Sequence, residues 1–180
     1  MAVAALLLAG CAGLGPETRP FSQPGFEFTA RIGVRHADGG FTGRIRWRRE
    51  GAADAMDLLT PLGQVVAELR QTPRGAVLWV PDREPRQYAD IGHLAADILG
   101  RPIPAAELAD WVQGRPVPGL PADNPEYDEL RRPIRWTQAG WTVAVGWASP
   151  SPLPAQLELR RDDVTVKLVI DHWAHPPGAP

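Results

Sequence analysis

The sequence predicts an α+β domain built on one antiparallel sheet. Three observations predict it. Two stretches near the start alternate strictly between apolar and polar residues, the last third alternates the same way, and two short segments of helical period lie between. Strands, then helices, then strands is the segregated order of an α+β fold rather than the interleaved order of a parallel sheet. Composition agrees, since 18 glycines and 20 prolines in 180 residues favour short strands and turns over long helices. This length fits one domain with a sizeable core.

The first strand is read from Phe26, Phe28, Ala30, Ile32 and Val34 facing one way, with Glu27, Thr29, Arg31 and Arg35 facing the other. Asp38-Gly39-Gly40 then makes a turn, and Phe41, Ile45 and Trp47 oppose Thr42, Arg44, Arg46 and Arg48. Two such runs joined by a glycine turn form a hairpin. Further strands are expected at Ala53 to Leu59, Val65 to Gln71 and Ala76 to Val80. Ile91, Leu94, Ala95, Ile98 and Leu99 fall on one helical face, with Asp90 as N-cap and Gly100 just past the end. A second helix starts at Pro104, carries Leu108, Trp111 and Val112, and stops at Gly114. Pro116 to Pro125 reads as an irregular connection. Strands resume with Ile134 and Trp136, then Trp141, Val143, Val145 and Trp147, then Leu157 and Leu159. A last strand carries Val164, Val166, Leu168 and Ile170 after a turn at Arg161-Asp162-Asp163.

The lone cysteine excludes an intrachain disulfide and a cysteine metal cluster. Cys11 closes the apolar run "AVAALLLAGC", which is too short to span a bilayer at about 20 residues. Residues 1–10 therefore read as an export signal. Leu8-Ala9-Gly10-Cys11 resembles the lipobox of bacterial lipoproteins, in which the cysteine becomes the acylated N-terminus. The alternative is a buried free cysteine. Residues 11–25, with Pro16, Pro20 and Pro24, read as a lipidated tether; residues 26–173 form the domain and 174–180 a flexible tail. Several acyl chains would hold the protein on a membrane without spanning it.

A wide sheet with one apolar face needs a cover. Two helices of about ten residues are each about 15 Å long and cover only part of it. Either the sheet rolls up and fills itself, or an apolar space remains for an apolar ligand. Trp47, Trp136, Trp141 and Trp147 suit both readings, as core or as walls for acyl chains.

Several chemistries are excluded. A net charge of −2 gives no nucleic-acid footprint. No HExxH, P-loop, GxGxxG or GxSxG pattern is present. Asp171 beside His172 has no nearby nucleophile, so no catalytic residue, metal site or cofactor is expected. Arg31, Arg44, Arg46, Arg48 and Arg49 form an expected basic outer face, serving solubility or meeting anionic head groups or an acidic partner.

In "LLTPLGQVV", Pro61 and Gly63 mark a turn and place Leu62 at its tip. Leu62 either stands in water or folds back onto the domain. "FTARIGVRH" with "GGFTGRIRW", "LLTPLGQVVAEL", "DILGRPIPAAELADWVQGRP", "QAGWTVAV" and "VKLVIDHW" together resemble the LolB family of outer-membrane lipoprotein receptors, from about Phe26 to Trp173. The resemblance implies an unclosed β-barrel, or half-barrel, with a short helical lid over a hydrophobic cavity. It implies a monomer at the periplasmic face of the outer membrane that takes lipoproteins from the soluble carrier LolA. Their acyl chains would be held in the cavity and delivered among outer-membrane phospholipids. It assigns membrane insertion to the loop Pro61, Leu62 and Gly63. Candidate cavity residues are Phe28, Ile32, Ile45, Trp47, Leu58, Leu94 and Ile98, with Leu108, Trp111, Trp136, Trp141, Val143, Val145 and Leu168. Ala12 after the cysteine is compatible with outer-membrane sorting. The alternative function is a membrane-anchored scaffold of the envelope with a filled core.

Overall fold

A computed structural model describes residues 21–99, 104–149 and 151–177; Cys11 and the signal run lie outside the described residues. Eleven strands among them form one antiparallel sheet. In chain order these are β1 (Gly25–His36), β2 (Gly39–Glu50), β3 (Ala53–Leu59), β4 (Val65–Thr72), β5 (Gly75–Trp79) and β6 (Arg86–Tyr88), followed by helices α1 (Ile91–Leu99) and α2 (Ala105–Trp111). The return half is β7 (Asp123–Tyr127), β8 (Pro133–Gln138), β9 (Trp141–Trp147), β10 (Pro154–Arg161) and β11 (Val164–His175).

The spatial order is β6-β5-β4-β3-β2-β1-β11-β10-β9-β8-β7. The chain meanders outward from β1 to the edge at β6. The two helices then carry it to the opposite edge at β7, and it meanders back until β11 pairs with β1. The edges β6 and β7 are not paired with each other, so the barrel is unclosed, as expected. Register irregularities at Glu27/Phe28 and Thr29/Ala30 in the β1–β11 pair, and at Pro154/Gln156 in the β9–β10 pair, bend the sheet.

Register explains why these sequences make this sheet. Phe28 lies opposite Trp47, Trp47 opposite Met56, Met56 opposite Leu69 and Leu69 opposite Leu78. Paired residues share a face, so period two carries one apolar row across five strands. A parallel row runs Ala30, Ile45, Leu58 and Ala67.

β6 and β7 were not expected. β6 is three residues long, and β7, "DNPEY", is exposed at every position. Neither alternates, because an edge strand off the main core has no face to bury, and proline is tolerated there. β11 runs to His175, two residues into the expected tail, and the His175 ring stacks on Phe21 at 3.9 Å. Ser22 donates from both its backbone N–H (2.7 Å) and its hydroxyl (2.5 Å) to Glu50 Oε1, so the end of the expected tether is docked on the domain. No described helix is long and apolar enough to cross a membrane.

Candidate functional site

The β3–β4 turn is tightly built. The Thr60 carbonyl accepts from the Gly63 N–H (2.9 Å), and the Gln64 carbonyl accepts from the Thr60 N–H (2.8 Å). The Gln64 N–H also donates to Thr60 Oγ1 at 3.2 Å. Pro61 fixes the second turn position, and Gly63 takes φ +85°, the left-handed residue that returns the chain to β4. The Leu62 side chain at the tip of this scaffold is 92 % exposed. Phe41, Val65 and Val66 are also exposed, and the pairing of Arg44 with Leu59 sets Phe41 beside this turn. Leu62 stands in water; the folded-back arrangement is not adopted.

The inner face carries two separate apolar clusters. The larger joins Phe28, Trp47, Trp111, Trp136, Trp141, Val143, Val145 and Leu168 with neighbours from β1, β10 and α2. The smaller joins Leu69, Ala76 and Leu78 to Ile91 and Leu94 of α1. Among the described side chains, Met56 packs against both. Of the expected lining residues, then, most are packed against one another, while Ile32, Ile45, Leu58 and Leu108 stay only half-buried. Ile45 and Leu58 belong to the apolar row crossing β2 and β3, where Ile45 packs against the larger cluster. Ile98 is on α1, but its side chain lies outside the described residues.

The two helices are fastened differently. Asp90 Oδ1 accepts the His93 N–H at 2.9 Å, confirming the expected cap, and this bond holds the Asp90 carboxyl below its usual range. The Ile91 N–H donates to Gln71 Oε1 (2.8 Å), while Arg86 and the Tyr88 hydroxyl both reach Asp97 Oδ2, at 2.9 and 2.8 Å. The Asp97 bonds are exposed. α2 is held by a buried hub instead. Gln138, 1 % exposed, accepts from Trp111 Nε1 (2.8 Å) and from the Val117 N–H (2.9 Å). Its amide donates to the carbonyls of Val117 and Leu120. Trp136 Nε1 is buried with no partner among the described residues.

The outer face is charged but self-neutralising. Arg31 and Arg44 share Asp171, Arg46 and Arg70 share Asp57, and Arg48 meets Glu27 and Glu50. Burial pushes the Asp57 carboxyl up, but hydrogen bonds from Arg46 and Arg70 outweigh it and hold the group below its usual range. Arg49 corrects the expected outer set. It lies opposite Phe26 on the inner face and binds Asp54, which also accepts from Trp47 Nε1 at 2.8 Å. Burial raises the Asp54 carboxyl despite these partners. Asp171, held by two arginines, is not positioned as a base orienter for His172. No group of three potential metal ligands occurs among the described residues.

Sequence reasoning missed Gln138, Asp54, Gln71 and Asp97. Gln138 was hidden by its place beside the Ala139-Gly140 turn. Arg49 and Asp54 had a usable signal, since Arg49 has the same parity as Ile45 and Trp47, and one inward charge implies an inward partner.

The comparisons with known proteins bear on these features. The family model "Outer membrane lipoprotein LolB" matches residues 24–173. A relative from Cupriavidus pinatubonensis named "Outer-membrane lipoprotein LolB" is 36 % identical, covering 93 % of this chain and 90 % of that protein. One of the same name from Thiobacillus denitrificans is 33 % identical, covering 94 % and 93 %. Among solved structures, a LolA-superfamily protein from Nitrosomonas europaea aligns over 89 % of each chain at 10 % identity and a TM-score of 0.46.

Proposed function

The chain belongs to the outer-membrane lipoprotein LolB family, a family of trafficking factors rather than enzymes, and from that premise we propose that it receives lipoproteins from a LolA-type carrier and inserts them into the outer membrane. The observation that carries the delivery step is Leu62, a large apolar side chain held in solvent by a rigid turn. Nothing in the fold needs it there. Burying it in a bilayer contributes about 1.5–3 kcal/mol, too little to anchor a domain but enough to bias one end toward lipid.

The acyl chains are received on the inner face between the two apolar clusters, along Ile45, Met56 and Leu58, with Ala67 continuing the row. α1 is the lid that yields, because it rests on the smaller cluster and its Asp97 bonds are exposed to water. α2 stays, because releasing it strands the buried Gln138 hub. Direct passage between two apolar sites matters because an acyl chain crossing water costs on the order of 10 kcal/mol, at about 0.8 kcal/mol per CH₂. The lipid anchor at Cys11 keeps the acceptor at its destination, and the domain works as a monomer.

The test fills the receiving space. Ala67→Trp and Ile45→Trp are expected to abolish saturable binding of a fluorescent acyl probe while the thermal transition stays cooperative. A variant pair that folds and binds the probe like the native chain would remove the acyl site from this face and favour an envelope scaffold.

A further inference from the structure

On the outer face, opposite the proposed acyl site, a groove of about 430 Å³ runs between β11, β1 and β2. Its lining includes Gly33 and Val169, the cations Arg31, Arg44 and Lys167, and Pro61 of the Leu62 turn. We propose that this groove seats the phosphate-bearing head group of a membrane phospholipid, held by Arg31, Arg44 and Lys167, when Leu62 enters the bilayer. It rests on the reading of Leu62 as a membrane-entering residue.

Three observations carry it. First, place: Pro61 is at once a wall of the groove and the neighbour of Leu62, so a leucine buried among acyl chains brings the groove to head-group depth. Second, positioned charge: Asp171 binds Arg31 Nε at 3.0 Å and Arg44 at 3.4 Å, which fixes both guanidinium groups at the rim. Each guanidinium has five N–H donors, and the remaining ones have no protein partner among the described residues. Lys167 is only loosely matched by Glu158, at 3.9 Å. Two arginines sharing the single Asp171 carboxylate leave one positive charge in excess, and Arg reads phosphate oxygens through paired N–H groups. Third, room: a methyl group placed on Gly33 would meet only Thr42 Cγ2, at 3.9 Å, so the floor is open.

The surroundings decide what kind of lipid. The chain carries a net charge of −2, and the neighbouring turns hold Asp38 and Asp162. A general attraction to an anionic surface is therefore absent, and the contact is with the phosphate itself. A zwitterionic phospholipid satisfies it as well as an anionic one.

The experiment uses the full chain carrying Cys11→Ala, so that no acyl anchor masks the contact. Flotation compares vesicles of phosphatidylethanolamine and phosphatidylcholine with vesicles of digalactosyldiacylglycerol of matched acyl chains. The phospholipid vesicles are expected to bind about tenfold more tightly, the scale of one or two basic residues meeting lipid head groups. Arg31→Gln/Arg44→Gln and, independently, Gly33→Leu are expected to erase that preference while keeping a weak affinity for both vesicles. Leu62→Glu is expected to weaken binding to both. No preference in the parent chain, or a preference that survives both groove variants, overturns the groove. Excess inorganic phosphate is expected to reduce the preference, since it presents the same oxygens to the same arginines; a preference that excess phosphate leaves intact overturns the phosphate contact. If Leu62→Glu binds both vesicles normally, insertion by Leu62 fails, whereas the groove is still judged by its own two variants.

Discussion

Replacing Leu62 separates folding, cargo uptake and delivery. The side chain is 92 % exposed, and the turn is closed by Thr60, Gln64 and Gly63 backbone groups, with Pro61 setting its path. Substitution there costs the fold no more than about 0.5 kcal/mol, the scale for surface positions away from special backbone geometry. Nearly all of the leucine surface remains to be buried in a bilayer. Leu62→Ala removes three carbons from that burial, about 2 kcal/mol on an area basis, or about thirtyfold in the population of inserted turns. Leu62→Glu adds the cost of desolvating a carboxylate and lowers the population further.

The assay measures two rates in a Cys11→Ala background, so that tethering does not raise the local concentration of lipid. Acyl cargo passes first from the carrier to this protein and then from this protein to vesicles. The expected result is an unchanged first rate, an unchanged melting temperature and a second rate lowered about tenfold or more for Leu62→Ala. Delivery by Leu62→Glu at the native rate would refute the insertion reasoning. Equal losses in both steps would place Leu62 in carrier docking instead.

Three other outcomes follow from particular contacts. Cys11→Ala is expected to move the protein from the membrane fraction to the soluble fraction, checked by fractionation. Gln138→Ala leaves Trp111 Nε1 and the Val117 N–H without their buried acceptor, and is expected to destabilise the fold by about 2–4 kcal/mol in denaturant titration. The Glu50 carboxyl is held down from 4.5 to about 2, chiefly by the Ser22 hydroxyl and then the Ser22 N–H. A depressed carboxylate stabilises the clasp above the unfolded value and loses that stabilisation as pH falls from about 4.5 toward 2. Hydrogen exchange at residues 21–24 is therefore expected to accelerate, relative to the core strands, on acidification through that window.

The main sheet, both helices and the Leu62 turn were legible because each rests on a local signal. Period two set the faces of β1, β2, β9 and β11. The Pro-Leu-Gly order set the turn, and Asp90 set the start of α1. The edges β6 and β7 were not legible, because strand pairing at a sheet margin is decided by a neighbour rather than by a buried face. The Gln138 hub was not legible either. Its four hydrogen bonds go to Trp111, Val117 and Leu120, which meet it only once α2 has crossed to the far side. The sequence also left open whether the inner face is filled or hollow. On that face the structure shows two clusters, with Ile45 and Leu58 half-buried.

That division has an energetic logic. Filling the whole inner face would add stability, since a void in a core costs about 24 cal/mol per Å³. It would also raise the cost of every entering chain by the cost of expelling what filled the space. The larger cluster, with its tryptophans and the Gln138 hub, is packed against α2. Among the described side chains, the smaller cluster under α1 has Leu69, Ala76 and Leu78 below and Ile91 and Leu94 above. The Leu62 turn joins β3 to β4, so the proposed function puts reception and delivery on one side of the molecule and the tryptophan cluster on the other. Core substitutions in the tryptophan cluster should therefore unfold the protein before they alter transfer, whereas substitutions under α1 should alter transfer while the protein still melts cooperatively.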